Sequence, residues 1–248
     1  MIVQILPPKS DFLGTLWYLI QTYHSFFIRG ILITLLLSIV GTLGGFVISL
    51  FLTTLRQQSI DYKRDAWYLV AIKKIGIGFA KTYITVFRGT PMIVQAMIFY
   101  YGLAPLRMSW WNPLAAGLIV VTLNTAAYIA EVIRSGINGI DVGQMEAARS
   151  LGFSERQGMY RIVLPQAIRH SLPAIGNEFI VNLKDTAVLS VIGVFDLFKS
   201  TQSATSANYR VVEGFFIAAV IYLILTMVTA KLVHHLETRT PKEGENFV

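Results

Sequence analysis

The sequence predicts an all-α chain, an integral membrane helical bundle, and three observations carry that class. Apolar residues make up 54% of the 248 residues, and the mean hydropathy is +0.58. Charged residues reach only 14%, against about 25% in ordinary globular chains. Several apolar runs meet the ~20 residues that a bilayer core demands of a helix. Five core transmembrane helices are expected, in a single domain covering residues 1–248. A net charge of +7 would suggest nucleic acid in a soluble chain. Here the positive-inside bias and anionic headgroups account for it, so membrane lipid, and no nucleic acid, is the expected partner. The chain has no cysteine, which excludes disulfides and cysteine-ligated metal. No basic start leads into an apolar run and a small-residue cleavage site, so no cleaved signal peptide is expected.

Residues 1–26 form a mixed lead with Pro7-Pro8, Trp17, Tyr18 and Tyr23. Leu13, Trp17 and Ile20 share a helical face, which fits an interfacial helix or an ordered lead-in without function. The first span is expected from Phe27 to Leu55, where Gly41, Gly45 and Ser49 recur every four residues and let another helix approach closely. Residues 56–81 read as a basic loop with Arg56, Lys63, Arg64, Lys73, Lys74 and Lys81. Gly76 to Thr82 imitates the end of a phosphate-binding loop. That loop needs glycine directly before the lysine and again five residues earlier, and Ala80 and Ile75 stand there. The chain is therefore expected to hold no nucleotide by that route.

The second span, Phe79 to Leu103, contains Phe87-Arg88-Gly89-Thr90-Pro91. Proline inside a membrane helix frees a carbonyl that protein or water must satisfy. Arg88 must face protein, water or the interface, as a kink-side cation or as part of a path. A turn over 104–112 carries the interfacial pair Trp110-Trp111. The third span, Pro113 to Ile133, brings Asn124 and Tyr128 onto one face, with Glu131 and Arg134 near its end. The fourth, Leu172 to Val194, carries Asn177, Glu178, Asn182, Lys184 and Asp185. A central charge costs ~2.5–3.5 kcal/mol against lipid, so this helix must face protein or a wet cavity. Residues 196–213 read as a polar outer loop, Gly214 to Val233 as the fifth span, and 237–248 as a charged tail.

Between spans three and four, residues 134–170 cannot cross a membrane. Asp141 precedes Gln144, and Ser154 precedes Gln157, by three residues each, the spacing of a capping box. Gly152 suits the left-handed stop of a first short helix, and Pro165 the close of a second. Met145, Ala148 and Leu151 fall at helical spacing on the first. Glu146-Ala147-Ala148, then Gly152, then Ile162 and Leu164-Pro165 resemble the EAA loop of ABC-importer permeases, matching at each fixed position. FRGTPMIVQAMIFYYGL from Phe87, Asn177-Glu178 and Leu183-Lys184-Asp185-Thr186 are similar to the polar-amino-acid branch of that family, the histidine, glutamine and arginine type. The resemblance covers about residues 27–236; the lead and the 56–78 loop are longer than usual for it.

The resemblance implies the type I ABC importer permease fold in a bacterial cytoplasmic membrane. It makes the 141–165 loop a coupling helix, with Glu146, Ala147, Ala148, Leu151 and Gly152 against a partner ATPase dimer. A second permease subunit, identical or related, and an extracytoplasmic amino-acid-binding protein complete the implied machine. No cofactor is expected on this chain, ATP being bound by the partner, and no enzyme activity of its own. Charge supports one orientation. Six Lys/Arg lie in 56–81, five in 134–169 and three in 231–242, against Lys9, Arg107, Lys199 and Arg210 on the other side. That bias puts the N-terminus outside and the C-terminus in the cytoplasm.

Candidates for a polar path are Glu178, Asn124, Tyr128, Asn182 and Thr90. Glu178 could accept an ammonium or guanidinium, or pair within the protein; Lys184 stands six residues on, on a roughly opposed face. His24, His170 and His234-His235 are too dispersed for a metal site. No nucleophile–base set stands out, which disfavours a membrane enzyme. An ion-driven secondary transporter is the remaining alternative, and five spans are too few for two equal inverted halves.

Overall fold

The computed structural model describes residues 7–238 apart from Lys9, Arg64 and Ala207. Those three, the first six residues and the tail from Arg239 lie outside the described residues, and with them part of the charge count above. Among the described residues every regular element is helical, as the composition predicts.

Helix α1 runs Phe12–Arg56. Asp11 begins it, its carboxylate accepting from the Gly14 N–H at 2.8 Å, which satisfies one orphan donor of the first turn. The lead and the first span are thus one helix, interrupted at Tyr23, whose φ of −116° and ψ of 19° are not helical. At 1.5 Å per residue, 45 residues reach ~67 Å, about twice a bilayer core, so α1 is longer than one crossing needs.

The expected basic loop of 56–81 is corrected, because α2 already starts inside it and runs Trp67–Gly89. The second span is also broken. Thr90 is extended (φ −122°, ψ 143°), and α3, Met92–Leu103, starts afresh beyond Pro91. Proline's ring disfavours the helical conformation in the residue before it, which suits a break at Thr90. The Thr90 hydroxyl donates to the Val86 carbonyl at 2.8 Å, occupying one acceptor at the end of α2. The turn after α3 closes through Arg107 in the left-handed region (φ 49°). The Trp111 indole donates to the Tyr100 carbonyl.

Helix α4, Pro113–Asn138, is capped by Asn112, which accepts from the Ala115 N–H at 3.0 Å. Two short helices follow, α5 (Val142–Ser150) and α6 (Glu155–Gly158). A π-helical stretch, Met159–Val163, then leads into α7, Leu164–Asp185. Contrary to the sequence expectation, Pro165 does not close a helix but lies in the first turn of α7. The wider π turn, with the Leu164 N–H on the Met159 carbonyl, carries the chain through the proline without a stop. After Asp185 the fourth span tightens into a 3-10 helix, Thr186–Ile192, closed by Gly193 at φ +89°.

The polar loop of 196–213 is corrected too: it contains α8, Leu197–Ser206. Asp196 caps it, accepting from the N–H groups of Phe198 and Lys199. The polarity of this segment misled because its hydroxyls are used internally. Thr201 donates to the Leu197 carbonyl at 2.7 Å and Thr205 to the Thr201 carbonyl at 3.0 Å, so both side chains can be buried. The last helix, α9, runs Val211–Thr238. Phe12–Arg56, Pro113–Asn138 and Val211–His235 are each long and apolar enough to cross a membrane unaided.

The chain divides into two compact units. The first comprises Met1–Gly41, Met92–Val121 and Ile180–Thr229. Its cores gather Leu37, Ala96, Val120 and Leu189, and separately Leu19, Phe27, Leu197 and Ile217. The second comprises Thr42–Pro91, Thr122–Phe179 and Ala230–Val248. It packs Ile129, Ile133, Val163 and Ala167 together, and Leu52, Ala80, Ile84 and Ala126. Glycine spacing on α1 serves packing within each unit. A Cβ on Gly41 would collide with Val121, and one on Gly45 would stand 3.0 Å from Thr125.

Candidate functional site

Helix α5 is bounded chemically at both ends. Asp141 accepts from the Gly143 N–H at 2.6 Å. The expected return bond from Gln144 is absent, because that side chain accepts instead from Gln166 at 3.2 Å. At the other end the Phe153 N–H reaches the Ala148 carbonyl and the Gly152 N–H reaches that of Arg149. This is a complete Schellman motif, and Gly152 sits at its left-handed position with φ +82°. Ser154 and Gln157 form the full capping box on α6.

Those two caps fix which side chains α5 buries. Met145 turns inward, joining Met159, Val163, Ile137 and Ile140 in the core of the second unit, and Ala148 is buried as well. A Cβ on Gly158 would stand 2.7 Å from the Met145 sulfur, so glycine there lets α5 and α6 close on each other. Leu151 does not share that face, contrary to the sequence expectation. The helix has ended by then, and Leu151, at the C-cap, is 77% exposed. Glu146 and Ala147 are exposed as well. Of the five residues singled out, three form an outward surface, Ala148 anchors the helix and Gly152 ends it.

The base of this loop is tight. The Ser171 hydroxyl lies 3.4 Å from the Val132 carbonyl, and a Cβ on Gly136 would strike Ser171. Helices α4 and α7 therefore touch nearly backbone to backbone beneath α5.

Four of the five path candidates, Thr90, Asn124, Tyr128 and Glu178, belong to the second unit. Asn124 donates to the Phe87 carbonyl at 3.3 Å, in the last turn of α2. Tyr128 is exposed and carries the Arg88 guanidinium over its ring at 5.4 Å. Thr90 is exposed beside them in sequence, and Glu178 is half-buried on α7. Asn182, buried, belongs to the first unit.

Sequence reasoning missed a cluster around Glu131. Its carboxylate accepts from Arg56 at 2.7 Å and from Arg134 at 2.7 Å, and Arg88 stands 4.0 Å away. Three arginines from α1, α2 and α4 thus share one acid. Glu131 and Arg134 were visible as charges in an apolar span, a signal of a polar role. Arg56, 75 residues away in the chain, carried no sign of belonging with them.

Residues 66–242 match the model of a family described as the binding-protein-dependent transport system inner membrane component. The arginine transport system permease protein ArtQ of Bacillus subtilis (strain 168) is 35% identical over 203 residues, covering 82% of this chain and 87% of that one. The glutamine transport system permease protein GlnP of Escherichia coli (strain K12) is 34% identical over 227 residues, 90% and 96% of the two chains. A crystal structure of an amino acid ABC transporter with histidines superposes with a TM-score of 0.79 at 38% identity, covering 94% of this chain and all of that one. All nine helices described here except α1 begin within the matched region, which holds the α5 loop and, of the Glu131 cluster, Glu131, Arg88 and Arg134 but not Arg56. The chain belongs to the family of binding-protein-dependent transport system inner membrane components, the permease subunits of ABC importers.

Proposed function

We propose that this permease forms the membrane path for a polar, and within that class a basic, L-amino acid. In this reading α5 is the lever through which a partner ATPase drives it. The observation that carries the reading is α5 itself: a helix stopped at both ends, rooted by Met145 and Ala148, and presenting Glu146, Ala147 and Leu151 outward. The relatives are named for arginine and glutamine transport, and the superposed structure for histidines, which supports the substrate class.

Nucleotide is bound by the partner, whose dimer closes on ATP and carries α5 with it as a rigid body. Through Ile137, Val163 and Ala167 the motion reaches α4 and α7, and access to the path alternates between the two sides. A ligand shifts such an equilibrium only by its differential affinity for the two states. A zwitterion leaving water needs partners for both charges. Glu178 offers an acceptor for an ammonium or guanidinium; Asn124, Tyr128, Thr90 and Asn182 offer neutral hydrogen bonds. A second permease subunit and an extracytoplasmic binding protein complete the machine, with the N-terminus outside and the C-terminus in the bacterial cytoplasm.

The test is uptake of labelled amino acids by vesicles holding the permease with its ATPase and binding protein. ATP-dependent uptake, uncoupled from hydrolysis by Glu146→Ala, is expected. Uptake without the ATPase under an ion gradient would sink the reading. Glu178→Gln should slow a cationic substrate more than a neutral one; equal slowing would leave Glu178 structural. Single cysteines at Ser154 and Ser206 should react from opposite sides of the membrane, and reaction from one side would overturn the orientation.

A further inference from the structure

The first half of α2 lies where the sequence suggested a loop, and its exposed face is not that of a water-facing helix. Tyr68, Ile72, Ile75 and Phe79 follow at intervals of four, three and four residues, one stripe down a single face. They are 52%, 62%, 71% and 54% exposed. The opposite face packs inside the second unit through Ala80 and Ile84, with Gly76 set close to Leu55. The stripe is thus left over after folding, and water is a poor neighbour for it.

Its position matches a bilayer interface rather than a core. The crossing from Phe79 onward already has the length a bilayer needs. The helical turns before it, residues 67–78, add about 18 Å that a perpendicular crossing does not use. Aromatic residues crowd this end: Trp67 and Tyr68 meet edge to face at 6.1 Å, and Tyr62 lies beneath the Lys74 ammonium at 5.4 Å. Aromatic rings and lysines together mark the headgroup level.

Charge selects the occupant. Lys74 and Lys81, a heptad apart, are exposed, as is Lys63 before the helix, and α2 contains no acidic residue. Lys73 is different: it turns inward to Asp65 at 2.5 Å and to the Ser59 carbonyl at 2.9 Å, pinning the preceding turn. A second copy of this face would bring lysines against lysines. An anionic headgroup would neutralise them.

We propose that residues 62–81 form an amphipathic anchor that seats its apolar stripe in the leaflet and binds anionic phospholipid through Lys63, Lys74 and Lys81. The anchor has a line to the transport machinery. Leu69, Ile72 and Lys73 wall a cavity of about 290 Å³ whose far side is Glu155, Arg156 and Met159, the start of the segment that carries the α5 loop into α7. Seating α2 sets the width of that gap and so the room in which the loop moves. This coupling rests on the proposed role of α5; the lipid contact does not.

The experiment places the full-length chain in lipid nanodiscs of phosphatidylcholine, alone or mixed with phosphatidylglycerol. Trp17, Trp110 and Trp111 are changed to Phe, so that Trp67 reports alone. Lipids brominated near the top of the acyl chain should quench Trp67, more strongly when phosphatidylglycerol carries the bromine. Each anionic contact contributes about a fivefold preference at ~1 kcal/mol per lysine. Lys74→Gln with Lys81→Gln should cut the preference to the roughly fivefold share of Lys63, while quenching by brominated phosphatidylcholine persists, which shows that the apolar stripe is still seated. Absence of quenching, or equal quenching by the two lipids in the unaltered lysine background, would overturn the anchor. Crosslinking of Ile75→Cys between two copies would overturn it in favour of a protein neighbour. None of these readouts requires transport, so a failed coupling role for α5 leaves them standing.

Discussion

The two compact units handle charge in opposite ways. In the second, one carboxylate, Glu131, is shared by Arg56, Arg134 and Arg88, all four side chains being partly exposed. In the first, Arg210 is matched to Glu213 at 3.2 Å, with side chains only 6% and 12% exposed. The Arg210 Nη2 also donates to the Pro7 carbonyl, and its backbone N–H to the Asn208 side chain. Asp196, fully buried, is held by two backbone N–H groups and lies 3.4 Å from the Tyr222 hydroxyl. A balanced, buried set has one good arrangement, because any break strands a charge away from water. An over-supplied, half-wet set has several of similar energy, because a released arginine finds solvent. The lesson is that the Glu131 cluster suits a region that must rearrange, and the Arg210 set a region that must not.

The sharpest way to break this contrast is Glu213→Ala. It should destabilise the chain by about 3–5 kcal/mol by leaving Arg210 buried and unpaired, seen as a large drop in thermal unfolding temperature in detergent. A loss below about 1 kcal/mol would remove the distinction between the units.

Asp196 comes next. Burial pushes its carboxyl up to about 6, against the pull of its backbone and Tyr222 hydrogen bonds. A raised acid holds its proton more tightly in the folded state. Its contribution is therefore complete below the ordinary pKa of 3.8 and is lost as pH rises through about 6. Unfolding temperature should rise as pH falls from 7 to about 5, by the equivalent of about 1 kcal/mol. Asp196→Asn should flatten that dependence; a profile unchanged by the substitution would assign the titration elsewhere.

Glu131→Gln should cost only about 1–2 kcal/mol in stability, because its arginines can turn to water. Transport should suffer out of proportion, measured as uptake per folded molecule. A stability loss as large as that of Glu213→Ala would make the cluster a lock like the other. Ser154→Ala, which removes a cap and nothing buried, should cost about 1 kcal/mol. The smallest effect belongs to Arg149→Ala. Its pair with Glu155 is 3.9 Å long and open to solvent on both sides, so unfolding should stay within about 0.5 kcal/mol.

Local chemistry was legible where one short stretch contained all its own reasons. Ser154 with Gln157, and Gly152 after α5, stand within a few residues of the backbone groups they satisfy. Pro91 biases Thr90 towards the extended conformation from the adjacent position. Reading failed where the reason lay elsewhere in the chain. Helix α8 looked like a loop because its threonines and serines are polar by composition, yet their hydroxyls bond within the helix while Asp196 and Thr34 hold its start. Gln144 was assigned to its own cap and went to Gln166 instead. Leu151 had the right spacing for a buried face but arrived one residue after the helix had stopped.

By itself the sequence determined the all-helical class, the break at Thr90, the limits of α5 and the family to which the chain belongs, because apolar run lengths, proline geometry and caps act over a turn or two. Only the tertiary structure decided that Arg56, Arg88 and Arg134 meet on Glu131, that Arg210 and Glu213 are buried together, and that the first half of α2 keeps an apolar face uncovered. Those outcomes depend on which helices come within reach of one another. Side-chain charge has no periodicity along the chain that could announce its partner.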